Sequence, residues 1–499
     1  MRRQRAFNRR SLLGTGLVGG ASALALAACG ETKEVIKEVP VEVIKEVQVA
    51  GETVVKEVQV EVPVEVVKEV EVEVAGETVI KEVVKEVIVE VAPAPSTIDS
   101  NISARIVIFN FGGESDAKIY ADAHARFNKR FPNVEIVDNF TPVSTWSEYS
   151  NKVAAQVASG TQLDIVNIAI EGTRLVVSKN VLEPLDDLVR NDAGGQEMMS
   201  DIHPACVAAH TVNGKLYQIP HSWNNMVIHY NTAMWEEKGV PFPEADWKWD
   251  VFLESAAKLT SGEGSDETFG FGIPNFNFGL QPWLLTNDTS QLSDDWADSN
   301  LNDPKVAEAM QFVKDLVWKH EVSFDVSGTG SGLSNNGLFT AGRLGMSGWG
   351  HWPIQNFLAA GFDTFDVQYW PGNAAHTTVA GFGGWGISTQ SEYKELSWEL
   401  IKELNSLETI RATAAAGVAV PARRSVADSP EFLKFPANSK IYYESLNDMA
   451  FVPSPANFNE LETVFMRAFS EMMADTKTAE EAMADAHQEL QIAMDRLKG

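Results

Sequence analysis

Between Glu31 and Ala94 the chain is written almost entirely in Val, Glu and Lys, with no aromatic residue and no Leu. A segment so poor in bulky side chains can bury little surface, so any hydrophobic core must be built from the residues that follow. The nonapeptide beginning at Ala50 recurs from Ala75, with Ile80 in place of Val55. Glu69-Val70-Glu71-Val72-Glu73-Val74 alternates as a strand does, one face apolar and one acidic. A lone strand cannot bury its Val face, and like charges repel along the other. Pro40, Pro63, Pro93 and Pro95 interrupt helix or ladder alike. A coiled coil is disfavoured by poor heptad register and by the modest helix propensity of Val. The expectation is an extended, largely unfolded spacer over residues 29–99, reaching up to ~200 Å at ~3.3 Å per residue.

Ahead of it stands Asn8-Arg9-Arg10-Ser11-Leu12-Leu13, then an apolar, Gly-interrupted run ending in Leu26-Ala27-Ala28-Cys29. A charged start, a short apolar stretch and a small-residue cleavage site read as an export signal over residues 1–28. The run, broken by four glycines, is marginal for a stable helical span of ~30 Å of hydrocarbon. The paired arginines resemble a twin-arginine signal, and the Cys29 context resembles a bacterial lipobox. Lipidated Cys29 would hold the mature protein on the outer face of the cell membrane.

The formal charge of the 499 residues is −29, which argues against nucleic acid because no basic patch exists to displace phosphate counterions. With Cys29 lipidated, Cys206 stands alone and no internal disulfide can form. No later apolar run is long enough to cross a membrane. All 13 Trp lie in the body that follows the spacer, more flat apolar surface than packing alone requires.

From Ser100 onward the chain alternates strand and helix. Arg105–Phe111 reads as a strand ending in Gly112-Gly113, residues 116–130 as a helix, and Val134–Val137 as a second strand. A helix over 147–158 and a strand over 164–168 follow. This order predicts α/β lobes with mostly parallel sheets, whose ligands lie beyond the carboxyl ends of the strands. Those ends bring forward Asn110, Phe111 and Gly113 after the first strand and Glu171 after the third.

Phe127-Asn128-Lys129-Arg130-Phe131-Pro132-Asn133-Val134, Asn213-Gly214-Lys215-Leu216-Tyr217-Gln218-Ile219-Pro220 and His229-Tyr230-Asn231-Thr232-Ala233-Met234-Trp235 are similar, in order, to segments of the family 1 extracellular solute-binding proteins. Phe339–Met346 and Gly384–Ser388 continue the match, which covers about residues 104–490. The resemblance implies a periplasmic-binding-protein-like fold, two α/β lobes joined by a hinge, acting as the monomeric receptor of an ABC importer. Its expected partners are a carbohydrate ligand and the importer's transmembrane subunits. The lobes would be residues 100–222 with 384–419 and residues 223–383 with 420–499, with crossings near Ser222–Asn225, Gly381–Gly384 and Val418–Pro421.

A sugar offers C–H faces and hydroxyls, so its site needs aromatic platforms and fixed polar groups. Trp223 and Asn224 stand at the first crossing. Trp349 and Trp352 follow Gly348, and the resemblance makes Trp352 a stacking residue. Trp385, after Gly384, lies in a backbone too open to need it locally, and Arg423 follows the third crossing. Trp283 and Trp370 are weaker candidates, and Trp235, Trp247, Trp249, Trp318 and Trp398 have core spacing. No Gly-x-Ser-x-Gly elbow, His-Glu-x-x-His pair or phosphate loop occurs, so neither catalysis, cofactor nor metal is expected. The rival readings, a polysaccharide hydrolase or a stalked adhesin, have no motif of their own.

Overall fold

The computed structural model describes residues 98–143, 145–327, 333–417 and 419–498, together with short strands nearer the N-terminus. The export signal and Cys29 lie outside the described residues. The short strands pair as two antiparallel ladders, Gln48–Val49 with Glu52–Thr53 and Lys68–Val74 with Glu77–Val83. Glu69–Val74, the clearest run of Val/Glu alternation, thus falls within one of these ladders. An isolated two-stranded ladder is marginal in water.

The body opens with β1 (Ala104–Phe111), α1 (Glu114–Arg130), β2 (Val134–Thr141), α2 (Trp146–Ala158), β3 (Ile165–Ala169) and α3 (Ile170–Ser178). The strands are runs of β-branched and aromatic residues, and every residue from Ile106 to Asn110 is buried. Thr145 caps α2 by accepting from the Glu148 N–H, and Lys129 and Arg130 close α1 with charge suited to its C-terminus. β1 pairs parallel with β2 and β3, as crossover helices require.

Next come β4 (Ile219–Asn225), β5 (Val227–Asn231), β6 (Phe269–Gly272), α4 (Asn277–Thr286), α5 (Pro304–Trp318), β7 (Leu344–Trp349), β8 (Phe365–Gln368), β9 (Thr378–Ile387), α6 (Leu407–Ala415) and β10 (Val420–Pro421). β11 (Met449–Phe451), α7 (Phe458–Met473) and α8 (Ala479–Lys498) complete the chain. The first sheet runs β10-β4-β9-β3-β1-β2, with β11 beside β9; the second runs β6-β7-β5-β8. Both sheets are mixed: β9 lies antiparallel between β4 and β3, and β5 antiparallel between β7 and β8.

The chain changes sheet at Met226, between β4 and β5, and again between β8 and β9. Lobe limits at residues 222 and 384 would cut through continuous strands. The third passage also falls later than Val420–Pro421, which still pair with β4. Beyond them Asn438 N–H donates to Asp366 (2.9 Å) and Tyr442 lies 3.0 Å from His229, both in the second lobe. Trp235, Trp247, Trp249 and Trp398 are core residues, as their spacing suggests. Trp318 is not: it is 51% exposed, its indole N–H donating to the Met473 carbonyl at the end of α7 (3.0 Å). Cys206 is buried and has no disulfide partner among the described residues; burial pushes its thiol up.

Candidate functional site

The carboxyl ends of β1 and β3 meet the middle of β9 at a cavity of about 260 Å³. Its walls come from both lobes. From the first, Phe111 at the end of β1 stacks on Trp146 at the start of α2, with ring centres 4.1 Å apart and planes 24° from parallel. From the second, Phe278 in the first turn of α4 leans on Trp352 at 6.5 Å, and Phe276 meets the same indole at 6.3 Å. Aromatic faces thus line opposite sides of one cleft, the arrangement that holds a flat, partly apolar ligand.

Trp352 is set by its turn. β7 ends at Trp349, and Asn224 Oδ1 reaches over from β4 to accept from the His351 N–H (3.0 Å). A Cβ on Gly350 would stand 2.1 Å from the Trp352 ring, so only glycine lets the indole fold back across this turn. Trp223 lies within β4 rather than beyond a strand. It lines the cavity, stacks on Phe382 at 6.0 Å, and its indole N–H has no partner among the described residues.

Polar groups lie between the aromatic walls. Asn167 Nδ2 donates to Asn110 Oδ1 (2.9 Å), and His221 Nε2 lies 2.9 Å from Asn167 Oδ1. Burial pushes His221 down to about 3, with His210 adding to it, so the ring is neutral at physiological pH. Glu171 stands in the first turn of α3, directly after β3. Burial pushes its carboxyl up to about 7, opposed by a backbone hydrogen bond and assisted by the charge of Glu462. Its Oε2 has no partner among the described residues. The described lining contains no Lys and no Arg.

The cavity therefore gathers Asn110, Phe111, Glu171, Trp223, Asn224 and Trp352 from the sequence-derived candidates. Five others stand elsewhere. Gly113 lies in the turn before α1, outside the lining. Trp349 points into a second-lobe cluster with His229, Phe339 and Phe357, at 5.1–5.5 Å. Gly384 faces Gln218 and His210 on the opposite side of the sheet. Trp385 is fully buried one layer below the cavity, covered by Tyr120 (5.4 Å) and His221 (5.1 Å). Arg423 is held by Asp201 (2.8 Å), Glu197 (3.3 Å) and the Asn405 carbonyl (3.3 Å), so its charge is already matched. The weaker candidates Trp283 and Trp370 pack edge-on against each other at 5.0 Å in the second-lobe core.

Sequence reading missed Trp146, Asn167, His221 and Phe278. Asn167 carried a legible signal, a polar residue inside an otherwise apolar buried strand. Trp146 and Phe278 carried none beyond their place at helix starts, since pairing with Phe111 and Trp352 is tertiary.

A cleft between two α/β lobes joined by strand crossings defines a two-lobed solute-binding protein. The chain belongs to the bacterial extracellular solute-binding protein family, whose model matches residues 122–440. It is 26% identical over 227 residues to a binding protein of Brucella abortus, covering 43% of this chain and 50% of that one. It is 20% identical over 224 residues to the arabinooligosaccharide-binding protein of Halalkalibacterium halodurans, covering 44% of this chain and 47% of that one. The chain thus spans about half the length of the curated relatives it matches. The fold is shared with the ABC substrate-binding protein Lmo0181 of Listeria monocytogenes, solved with cycloalternan. That likeness has a TM-score of 0.70 at 22% identity over 79% of this chain and 100% of that one. Maltose-bound MalE3 of T. maritima superposes with a TM-score of 0.67 at 20% identity, over 78% and 100% of the two chains.

Proposed function

We propose that this protein is a receptor that captures a carbohydrate between its two lobes and delivers it to an ABC importer. The observation that carries the reading is the cleft itself: aromatic rings from both lobes, stacked in Phe111–Trp146 and tilted in Phe278–Trp352, around amide and hydroxyl groups and the Glu171 carboxyl, with no Lys or Arg in the described lining. Aromatic faces suit sugar C–H surfaces, and Asn110, Asn167, Ser222 and Asn224 suit hydroxyls. A phosphorylated ligand would call for Arg, Lys or a helix N-terminus instead. Relatives solved with cycloalternan and maltose support the same ligand class.

A glycosidase needs two carboxylates flanking one bond, and Glu171 is the one carboxylate among the described lining residues. The export signal and Cys29 complete the reading: a lipidated, extracytoplasmic monomer, with residues 29–99 between membrane and body.

A thermal-shift panel of mono-, di- and oligosaccharides tests it. A sugar at 100 times its dissociation constant adds ~2.7 kcal/mol to the folded state. Calorimetry on the best hit should then give one site per chain. A panel in which no sugar raises the melting temperature, while a peptide or an anionic metabolite does, overturns the ligand class.

A further inference from the structure

A second cavity, of about 560 Å³, opens outside the cleft. Its walls are the segment Ile273–Phe276 between β6 and α4, residues of the segment between α5 and β7, and the second half of α7. Phe276, Phe324 and Phe469 supply aromatic faces, and Asn275, Asn335 and Ser470 stand among them. The described lining again contains no Lys and no Arg. Two side-chain amides brace the walls against each other. Asn275 Nδ2 donates to the Val326 carbonyl (3.0 Å), and Asn335 Nδ2 donates to the Ile273 carbonyl (3.1 Å). A cavity held open in this way asks for little ordering when a ligand enters.

The two cavities share a ridge. Phe278, in α4, lines the first, and Phe276, two residues earlier, lines the second. Both rings meet the Trp352 indole, at 6.5 and 6.3 Å. A chain of sugars that leaves Trp352 on this side meets another aromatic face and then the second cavity. Phe276 is 37% exposed, and Trp318, at the end of α5, is 51% exposed. The Trp318 indole N–H donates to the carbonyl of Met473 (3.0 Å), which itself lines the second cavity. Large aromatic side chains left open around one hollow mark a binding surface, because core packing would have covered them. Size points the same way. The first cavity, at about 260 Å³, is smaller than the ~300–1,000 Å³ of most ligand pockets, and the two taken together lie within that range.

We propose that the second cavity is a further saccharide subsite, and that the ligand is an oligosaccharide whose first units occupy the cleft and whose later units cross Phe276 into it. The proposal rests on the carbohydrate reading and adds the length of the ligand to it. The aromatic faces take sugar C–H surfaces, and the amide and serine groups take hydroxyls, the same division of labour as in the cleft. The described lining comes from the second lobe alone, so the units held there need no lobe closure.

The test uses the full chain and homologous oligosaccharides of one to five units, built from the sugar that ranks first in the thermal-shift panel. Calorimetry should give one ligand per chain at every length. Affinity should rise about tenfold or more from the shortest members to the longest, the effect of one further anchored ring. Ser470 is exposed on α7, so Ser470→Trp should melt with the parent while its indole fills the second cavity. It should bring the long-to-short affinity ratio close to one. Phe276→Ala removes the ridge and should lower the same ratio; measuring both lengths on each variant cancels a general loss of affinity. A ratio near one in the parent overturns the subsite, as does a parent-like ratio in either variant. A short sugar that binds while added length gains nothing removes the subsite alone. A panel in which no sugar of any length binds removes the carbohydrate reading and the subsite with it.

Discussion

Trp385 is flanked by Gly384 and Gly386, yet its ring is enclosed by Tyr120 and His221, both of which line the cavity. Trp352, two residues after Gly350, ends in the cleft, because that glycine lets its ring fold back and Asn224 holds the turn. Their substitutions should therefore separate. Trp385→Ala should cost ~3–5 kcal/mol in urea unfolding, as for a large buried ring. Trp352→Ala should leave the unfolding midpoint nearly unchanged and weaken ligand binding by ~1–3 kcal/mol in calorimetry. Glu171 carries a pH effect on stability. Its folded carboxyl is raised from 4.5 to about 7, so the native state binds more protons than the unfolded chain between those values. Stability contributed by the neutral carboxyl is present below about 4.5 and is lost as pH rises toward 7, by up to roughly 3 kcal/mol. Glu171→Gln should match the parent at pH 4.5 and exceed it at pH 8 in denaturant titrations. A variant weaker than the parent at pH 8 would mean the carboxylate is already paired.

At the scale of elements, the site depends on how closely α3 approaches α2. Gly172, one residue beyond Glu171, lies so near α2 that an added Cβ would stand 1.9 Å from Ser150 Oγ and 2.7 Å from its Cβ. Both helices flank the cavity, α2 through Trp146 and α3 through Glu171. Gly172→Ala should force them apart, lowering the melting temperature and weakening ligand binding together, whereas at Gly113, outside the lining, an added Cβ meets nothing within 4 Å. A Gly172→Ala protein with the parent's affinity would show that the helix spacing does not set the site. The one-residue step from β4 to β5 through Met226 is the shortest link between the sheets. It makes the strand pair β4/β9 the natural place for bending.

For the whole molecule, the chain divides into a unit up to Ala92 and a body from Pro93 onward. A chain beginning at Ser96 should keep the affinity of the full-length protein for the best carbohydrate hit; a large loss would mean the tract packs on the body. Solution scattering of that shorter chain should give a smaller radius of gyration with ligand than without it, as two lobes close on their cleft. Cys29→Ala should shift the exported protein from the membrane fraction to the soluble one, and retention in membranes would refute the lipid anchor.

Much of this was legible in the amino-acid order. The first three strands and two helices of the body fall within a few residues of their expected places, because buried strands and amphipathic helices write their periodicity locally. The cleft at the carboxyl ends of β1 and β3 followed from the same alternation, and so did Asn110, Phe111 and Glu171. The sequence by itself also determined what the spacer lacks: without Leu or aromatic residues it has little to bury. Which tryptophans line the cavity was decided only in three dimensions. Trp349 and Trp385 each stand between two glycines, and Trp352 follows a glycine turn; what separates them is which side chains from distant segments cover each ring. The direction of β9 was likewise a tertiary outcome, since a buried strand reads the same whether its neighbours run parallel or antiparallel. Arg423 reads as an open cation until Asp201 and Glu197, more than two hundred residues earlier, are brought against it. Periodicity is a property of neighbours along the chain; enclosure and charge pairing are properties of neighbours in space.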